Sequence, residues 1–428
     1  MKDAVLVVGG GGREHALAWA LAGSPEVGRV YVVPGNAGTA WPAEEGRAGA
    51  ERVPIAANAL EELAAFARER RVALTVVGPE APLAAGLADL FQDRGLAVFG
   101  PTRAAARIEA SKAFAKALMQ EAGVPTARWR VFERAEAALA YLEDTDPPWV
   151  VKASGLAAGK GVLVTDDYEE ARAFVHGLLA GRFGEAGREV VIEEFLEGPE
   201  LSVFALAAGE RFALLPTARD YKRIYEGGHG PNTGGMGARS PVALAPGLLE
   251  EIGRRVVAPT LEALAARGTP YLGVLYAGLK LTPDGPKVLE FNARFGDPET
   301  QAVLPLFTSD LYAHLQEALA GRPDARPVTY AGHALTVVMA SAGYPGSYTK
   351  GVPIAGLEEA ARLPGVHVFH AGTEARGGRI VTAGGRVLAL TGVADTPEQA
   401  RQRAYAAVRR VRFEGAQYRR DIGTEVVG

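Results

Sequence analysis

The chain has 428 residues, 48% hydrophobic and 22% charged, a composition ordinary for a soluble globular protein, and it is too long for a single core. A net charge of −4 leaves no basic field to hold nucleic acid or an anionic membrane, and zero cysteine excludes disulfides, thiolate metal sites and a cysteine nucleophile. The apolar run at 4–8 is too short for a secretion signal or a bilayer span, and no 18 apolar residues run together, which predicts a soluble, cytoplasmic protein.

Residues 1–101 alternate short aliphatic runs (5–8, 30–33, 74–77 and 97–99) with helix-spaced stretches at 14–21, 60–70 and 83–94. Such alternation predicts a doubly wound parallel sheet whose ligands bind at the carboxyl ends of its strands. Those ends read GGGGR at 9–13, PGNAGT at 34–39 and GPEAP at 78–82, all rich in Gly, Pro or short polar residues. A second unit, 102–327, opens with a helix that Ser111 can cap. Within it, 125–190 has the size of a small mobile lid subdomain: strands at 129–132, 149–152, 162–164 and 190–194, with helices at 135–141 and 168–179. Strands then follow at 201–206, 212–216, 272–281 and 287–291, with a Gly-rich connection at 220–240 and helices at 298–306 and 310–319. The last unit, 328–428, reads as a mostly antiparallel α+β domain, with strands at 333–340, 366–370, 379–382 and 387–393. Thr396 and Pro397 start its helix.

Four stretches carry the chemistry: 150–164 (VVKASGLAAGKGVLV), 193–197 (EEFLE), 230–238 (GPNTGGMGA) and 290–299 (EFNARFGDPE). The chain holds only nine lysines against 37 arginines, yet Lys152 and Lys160 both lie in the first stretch. A compact ammonium beside a glycine loop suits phosphate oxygens better than a planar fork. The hairpin with Gly159, Lys160 and Gly161 is not a Walker loop, because a strand follows it and no Ser or Thr follows Lys160. It suits a flap over nucleotide phosphates, with Lys152 on the strand beneath reaching the α/β oxygens. Backbone groups of Glu193, Glu194, Phe195 and Leu196 can face an adenine, and Glu200 a ribose hydroxyl. Glu290 and Asn292 alternate onto one strand face, where a carboxylate and an amide oxygen suit Mg²⁺. Arg294 continues that side and can neutralise a phosphoryl group or fork onto a carboxylate. The loop with Asn232 and Gly234 is too glycine-rich for a strand or helix interior and reads as ligand-ordered.

At the amino terminus, Gly9 to Gly12 can hold a phosphate at a helix start, the alternative being a merely tight turn. They are a poor nicotinamide site: Glu14 or His15 stands where the third glycine belongs, and no acidic residue ends the second strand. Histidines form no metal-binding pair, and there is no G-x-S-x-G.

In this order the motifs resemble the ATP-grasp superfamily and, within it, the phosphoribosylamine–glycine ligase family. The likeness runs end to end, through 9–17 (GGGGREHAL), 34–40 (PGNAGTA), 77–83 (VGPEAPL), 111–114 (SKAF), 152–162, 230–238, 276–279 (YAGL), 290–301 and 420–423 (RDIG). It implies the ATP-grasp fold and the reaction ATP + glycine + 5-phosphoribosylamine → glycinamide ribonucleotide + ADP + phosphate, by way of glycyl phosphate. It further implies Mg²⁺ or Mn²⁺ on Glu290 and Asn292, Lys112 and Lys152 on the nucleotide phosphates, and Arg294 at the transferring group. Asp220, Asp297 and Glu299 are then candidates for glycine's ammonium. Gly11, Gly12, Asn36, Gly38, Thr39 and Glu80, on the amino-terminal loops, would receive phosphoribosylamine. The strand at 274–281 (VLYAGLKL) departs from the wider superfamily by carrying no acid, so it supplies no second carboxylate to a metal. Another ATP-grasp carboxylate–amine ligase or carboxylase is the alternative. The sequence shows no protein partner.

Overall fold

The aliphatic runs of the amino-terminal third become strands buried on both faces: Val5, Leu6, Val7 and Val8 are fully shielded from solvent. That is the signature of a parallel sheet covered by helices on each side. The structure is a computed structural model that describes residues 2–157 and 161–424. Its first sheet runs Gly49–Arg52, Val27–Pro34, Asp3–Gly9, Val72–Val77, Val98–Phe99, every pair parallel. The strand order reverses at Asp3–Gly9, so the loops after Gly9, Pro34 and Val77 gather at one edge. The helical stretch at 83–94 is two helices, Glu80–Ala85 and Leu87–Asp93, because Gly86 takes a left-handed φ of 94°.

The lid sheet is antiparallel in the order Trp129–Phe132, Val190–Glu194, Trp149–Ala153, Val162–Thr165. Helices Ala135–Glu143 and Tyr168–Leu179 close a separate small core over it, the second capped by the Asp167 carboxylate. Beside it lies a second antiparallel sheet, Arg211–Leu214, Glu200–Ala208, Leu272–Thr282, Gly285–Asn292, which aims Glu290 and Asn292.

The carboxy-terminal sheet is also antiparallel, in the order Arg219–Asp220, Gly237–Ser240, His333–Ala340, Arg386–Ala394, Val366–His370. Two of its strands come from the middle of the chain. The glycine-rich stretch read as a loop is therefore partly sheet: His229–Asn232 pairs with Arg223–Tyr225, and Gly237 starts a strand. Glycine is needed there for contact, since a Cβ on Gly237 would lie 2.6 Å from the Thr336 carbonyl oxygen. Thr396 caps the closing helix Pro397–Arg410, as read from the sequence. Among the described residues no helix is long and apolar enough to cross a membrane.

An aromatic seam joins the first and last units. On the helix Gly12–Ala22, His15 stacks on Trp41 at 5.8 Å and Trp19 meets His367 edge-on at 4.6 Å; His370 donates its backbone N–H to His15 Nδ1 at 2.8 Å. Burial holds the His15 imidazole down at about 3, helped by the neighbouring His370, and holds His367 and His370 at about 4. Below the ordinary value near 6.5 the unfolded chain takes up protons that these folded rings refuse, so stability falls as pH drops from about 6.5 towards 3. His15→Asn should flatten that fall by one proton, about 1.4 kcal/mol per pH unit, when urea unfolding is measured between pH 4 and 6. An unchanged slope would remove His15 from the titrating set.

Candidate active site

Between the lid sheet, the second antiparallel sheet and the borrowed strands lies a cleft of about 1180 Å³. It is lined by Glu80, Lys112, Lys152, Gly161, the segment from Glu193 to Leu196, Glu200, Asp220, Asn232, Gly234, Glu290, Asn292, Arg294, Asp297 and Glu299. Residues singled out over more than 200 positions of sequence thus face one space. Gly159 and Lys160 lie outside the described residues.

On the lid side, Glu193 is a shared counter-ion. Its Oε2 is 2.9 Å from Lys152 Nζ and its Oε1 is 3.2 Å from Lys116 Nζ, with Glu193 and Lys116 only 2% exposed. The Glu193 side chain therefore points at lysines, so an adenine would meet the backbone and the side chains of half-exposed Phe195 and buried Leu196. Glu194 turns outward and accepts from the Arg128 backbone N–H and Nε at 2.9 and 2.7 Å. Lys112 donates to the Gly155 carbonyl at 3.3 Å, and burial pulls its ammonium below the ordinary lysine value. Gly161 is required by packing: a Cβ would lie 2.6 Å from that of Ala157.

Across the cleft, Glu290 is 3.6 Å from Lys222 Nζ, and Lys222 is also 3.5 Å from Glu200. Burial disfavours the Glu290 carboxylate, but Lys222, Lys112 and Lys152 outweigh it and hold the group at about 2. Glu200 lies 3.4 Å from Lys280 as well, so a ribose hydroxyl would share this carboxylate with two ammonium groups. Asp220 goes the other way: burial, resisted by Lys222 but reinforced by Glu299, Glu200 and Glu290, pushes it up to about 8.

Arg294 is nearly saturated. Nη2 donates to Asn292 Oδ1 at 3.1 Å and lies 2.9 Å from Glu109, Nη1 donates to the Phe295 carbonyl at 3.1 Å, and Nε lies 3.3 Å from Glu80. Nε, although near Glu80, has no hydrogen-bond partner among the described residues. Two carboxylates, Glu109 and then Glu80, overcome burial and raise the guanidinium above its ordinary value. Asp297 is bound to Arg386 Nη2 at 2.9 Å and to Gln301 Nε2 at 2.7 Å; Glu299, 2% exposed, accepts from Tyr276 at 2.6 Å and Ser202 at 3.3 Å. Asp297 and Glu299 thus already have partners. Of the three acids considered for an ammonium, Asp220 alone pairs by charge chiefly with a lysine that it shares with two other acids.

Of the amino-terminal positions Glu80 lines the cleft, whereas Gly11, Gly12, Asn36, Gly38 and Thr39 do not. Asn36 spends its amide on the carbonyls of Gly10 and His370 and on the Gly38 N–H, and Thr39 is fully buried against the Asn36 backbone. Gly38 is needed because a Cβ would lie 2.5 Å from the His370 ring, and Gly12 because one would lie 2.6 Å from Gln301. Gly11 N–H is taken by Glu14 Oε2 at 2.6 Å. The polar side-chain atoms of Asn36 and Thr39 are thus engaged within the protein, by Gly10, His370, Gly38 and the Asn36 backbone.

Three family descriptions tile the chain: Phosphoribosylglycinamide synthetase, N domain, over residues 3–109; ATP-grasp (A) domain, over 110–300; and C domain, over 334–425. The chain belongs to the phosphoribosylglycinamide synthetase family. It is 49% identical over 430 residues to the phosphoribosylamine–glycine ligase of Pseudomonas aeruginosa, covering 99% of this chain and 98% of that one. It is also 49% identical to the trifunctional purine biosynthetic protein adenosine-3 of Gallus gallus, of whose length it spans 42%. The crystal structure of phosphoribosylamine–glycine ligase from Thermotoga maritima superposes with a TM-score of 0.82 at 37% identity, over 98% of this chain and all of that one. The biotin carboxylase domain of a Hydrogenobacter thermophilus 2-oxoglutarate carboxylase shares the fold alone, with a TM-score of 0.73 at 17% identity over 98% of this chain and 92% of that one.

In this synthetase-family chain, sequence reasoning missed Lys116, Lys222, Glu109 and Arg386. Lys116 and Lys222 carried the same signal as Lys152, scarcity among arginines, and that signal would have found them. Glu109 and Arg386 carried none. Arg386 reaches in from the last sheet to the carbonyls of Gly234, at 2.5 Å, and Asp297, at 2.8 Å. Arg386→Ala should therefore speed hydrogen exchange at 234–237 by about tenfold or more, while Arg386→Lys restores only part of the protection, since a single ammonium replaces a fork whose Nη1 serves the two carbonyls and whose Nη2 serves the Asp297 carboxylate. Wild-type exchange in Arg386→Ala would show that the sheet pairing of Gly237 holds the loop unaided.

Proposed function

We propose that this chain joins glycine to 5-phosphoribosylamine at the expense of ATP, giving glycinamide ribonucleotide, ADP and phosphate through glycyl phosphate. The observation that carries the reading is the convergence of Lys112, Lys116 and Lys152 on one wall with Glu290, Asn292 and Arg294 on the other. Family membership and the ligases it resembles over their whole length support it.

Adenine would lie against Phe195 and Leu196 at the hinge of the lid, with Lys112 and Lys152 on the phosphates. The segment 125–190 would close as a lid over the nucleotide, hinged where its sheet ends at Glu194. A glycine carboxylate oxygen attacks the γ-phosphorus, the bond to the β-phosphate oxygen breaks, and ADP leaves. The amine of phosphoribosylamine then attacks the acyl carbon, loses a proton and expels phosphate. Positioning and charge neutralisation supply most of the help such steps need. Glu290 and Asn292 fit a divalent cation: one is a carboxylate held ionised, the other an amide oxygen, and both are hard donors. Mg²⁺ or Mn²⁺ bound there supplies positive charge beside the phosphate oxygens. Among the described residues no three acidic or imidazole groups converge to hold a metal, so most of its ligands would be phosphate and water. Lys222 and Arg294, which pair with Glu290 and Asn292, would be free to face the substrates were a cation held there. Asp220 is the acid assigned to glycine's ammonium, with Glu299 and Asp297 fixing its surroundings and Asn232 and Gly234 covering it. The phosphate of phosphoribosylamine is assigned to the mouth formed by Glu80, Arg13 and the Gly11–Gly12 turn, which requires Glu14 to yield the Gly11 N–H.

ADP should form only when glycine and phosphoribosylamine are both present, read by a coupled assay with freshly made amine. Equal ADP formation with other small amino acids, or without the amine, would assign a different carboxylate–amine ligation.

Arg294→Lys should lower kcat by about 10²–10³, or roughly 2–4 kcal/mol, with KM for ATP little changed, because Lys keeps the charge but cannot hold Glu80, Glu109 and a developing acyl phosphate together. A normal kcat with a raised KM for glycine would make Arg294 a docking residue. A normal kcat and KM would make it a structural tie.

A further inference from the structure

The buried group of Lys116, Glu193 and Lys152 contains one more cation than a salt bridge requires. Lys116 sits on the helix Lys112–Glu121, Lys152 and Glu193 on adjacent lid strands, and one carboxylate serves both lysines, at 3.2 and 2.9 Å. Lys116 also donates to Thr126 Oγ1 at 2.7 Å, and Thr126 donates to the Val288 carbonyl at 2.6 Å, while Lys152 donates to the Leu289 carbonyl at 3.4 Å. With exposures of 2%, 2% and 8%, solvent screens these charges weakly, so their sum is what a ligand in the cleft meets.

Two ammonium groups and one carboxylate leave one net positive charge. Were Lys116 absent, Glu193 would neutralise Lys152 completely, and an anionic ligand would have to compete with a buried ion pair for that ammonium. We infer that Lys116 is a charge-compensating positioning residue: it shares the Glu193 carboxylate so that Lys152, held in place by that same carboxylate, keeps its positive charge available to nucleotide phosphates. Burial lowers the Lys116 ammonium to about 8 against the pull of Glu193, which leaves it mostly protonated at neutral pH. The inference rests on the nucleotide reading of the cleft given above.

The test is ADP affinity by calorimetry on the full chain at pH 7, with melting temperature measured alongside. Lys116→Gln keeps a donor for Glu193 but removes the charge, and should weaken ADP binding by about tenfold or more. The double variant Lys116→Gln/Glu193→Gln restores the single net charge on Lys152 and should bind ADP within about threefold of the wild type. A brace with no electrostatic role predicts the reverse, since the second substitution removes a further contact. Wild-type affinity in Lys116→Gln, or a double variant as weak as the single, overturns the inference. Should Lys116→Gln fail to fold, Glu193→Gln is compared with the double variant: the former, with one more positive charge, must bind ADP more tightly, and equal affinities overturn the inference. No ADP binding by the wild type would overturn the nucleotide reading itself.

Discussion

Charge pairing across sheet boundaries holds this molecule's working cleft together. Glu193 on the lid sheet answers Lys116 on a helix of the body, and Glu290 on the second sheet answers Lys222 beside the glycine-rich ribbon. Arg294 ties the end of that second sheet to Glu80 of the amino-terminal unit, and Asp297 ties the segment after it to Arg386 of the last sheet. Each pair joins pieces of chain that are far apart in sequence. A buried charge whose partner is withdrawn costs several kcal/mol, so separating any one unit leaves a charge stranded in the others. The arrangement is a weak source of net stability, because desolvation of both partners offsets most of their attraction.

The same economy suits the chemistry. The proposed nucleotide triphosphate with its divalent cation would bring both signs of charge, and the cleft is itself lined by both signs. On the proposed nucleotide reading, binding would exchange partners instead of burying fresh charge: phosphates would take over lysines from carboxylates, and the cation would take over carboxylates from lysines. A cleft lined by lysines alone would attract phosphate strongly but would suffer mutual repulsion when empty. The carboxylates Glu193, Glu200 and Glu290 remove that repulsion and leave each ammonium oriented. Asp220 is the exception, since it shares Lys222 with Glu200 and Glu290, and burial pushes its carboxyl up to about 8.

How much of this was legible in the sequence follows from the range of each signal. The parallel sheet was, because buried aliphatic runs of four residues between helical periods permit little else. Glu290, Asn292, Arg294 and Lys152 were singled out because local chemistry marked them, by alternation on a strand or as a scarce residue type beside glycine, whereas Asp220 was reached only through the family resemblance. Glu109 and Arg386 were not, because each lies in an unremarkable local context and acquires its role only from a partner 185 or 89 positions away. The division into three successive units also misses the borrowed strands Arg219–Asp220 and Gly237–Ser240. Glycine carries no side-chain pattern from which a strand can be read, so its pairing is set by the edge that receives it.

The amino-terminal glycine turn shows where one sequence signal has two physical causes. A glycine run between a strand and a helix start marks either a site where an anion approaches the backbone or a site where the protein packs against it, and both demand that no Cβ be present. Here both causes operate. The anion at the helix start is the protein's own: Glu14 accepts from the Gly11 N–H and is paired with Arg13 at 2.6 Å, so the first turn is already capped by a carboxylate. Gly12 and Gly38 are explained by the side chains of Gln301 and His370 pressed against them. Were a substrate phosphate to use this turn, as proposed, it would have to displace a carboxylate that Arg13 also holds. Arg13 lines the cleft, so the displaced pair and the new one would share the same cation.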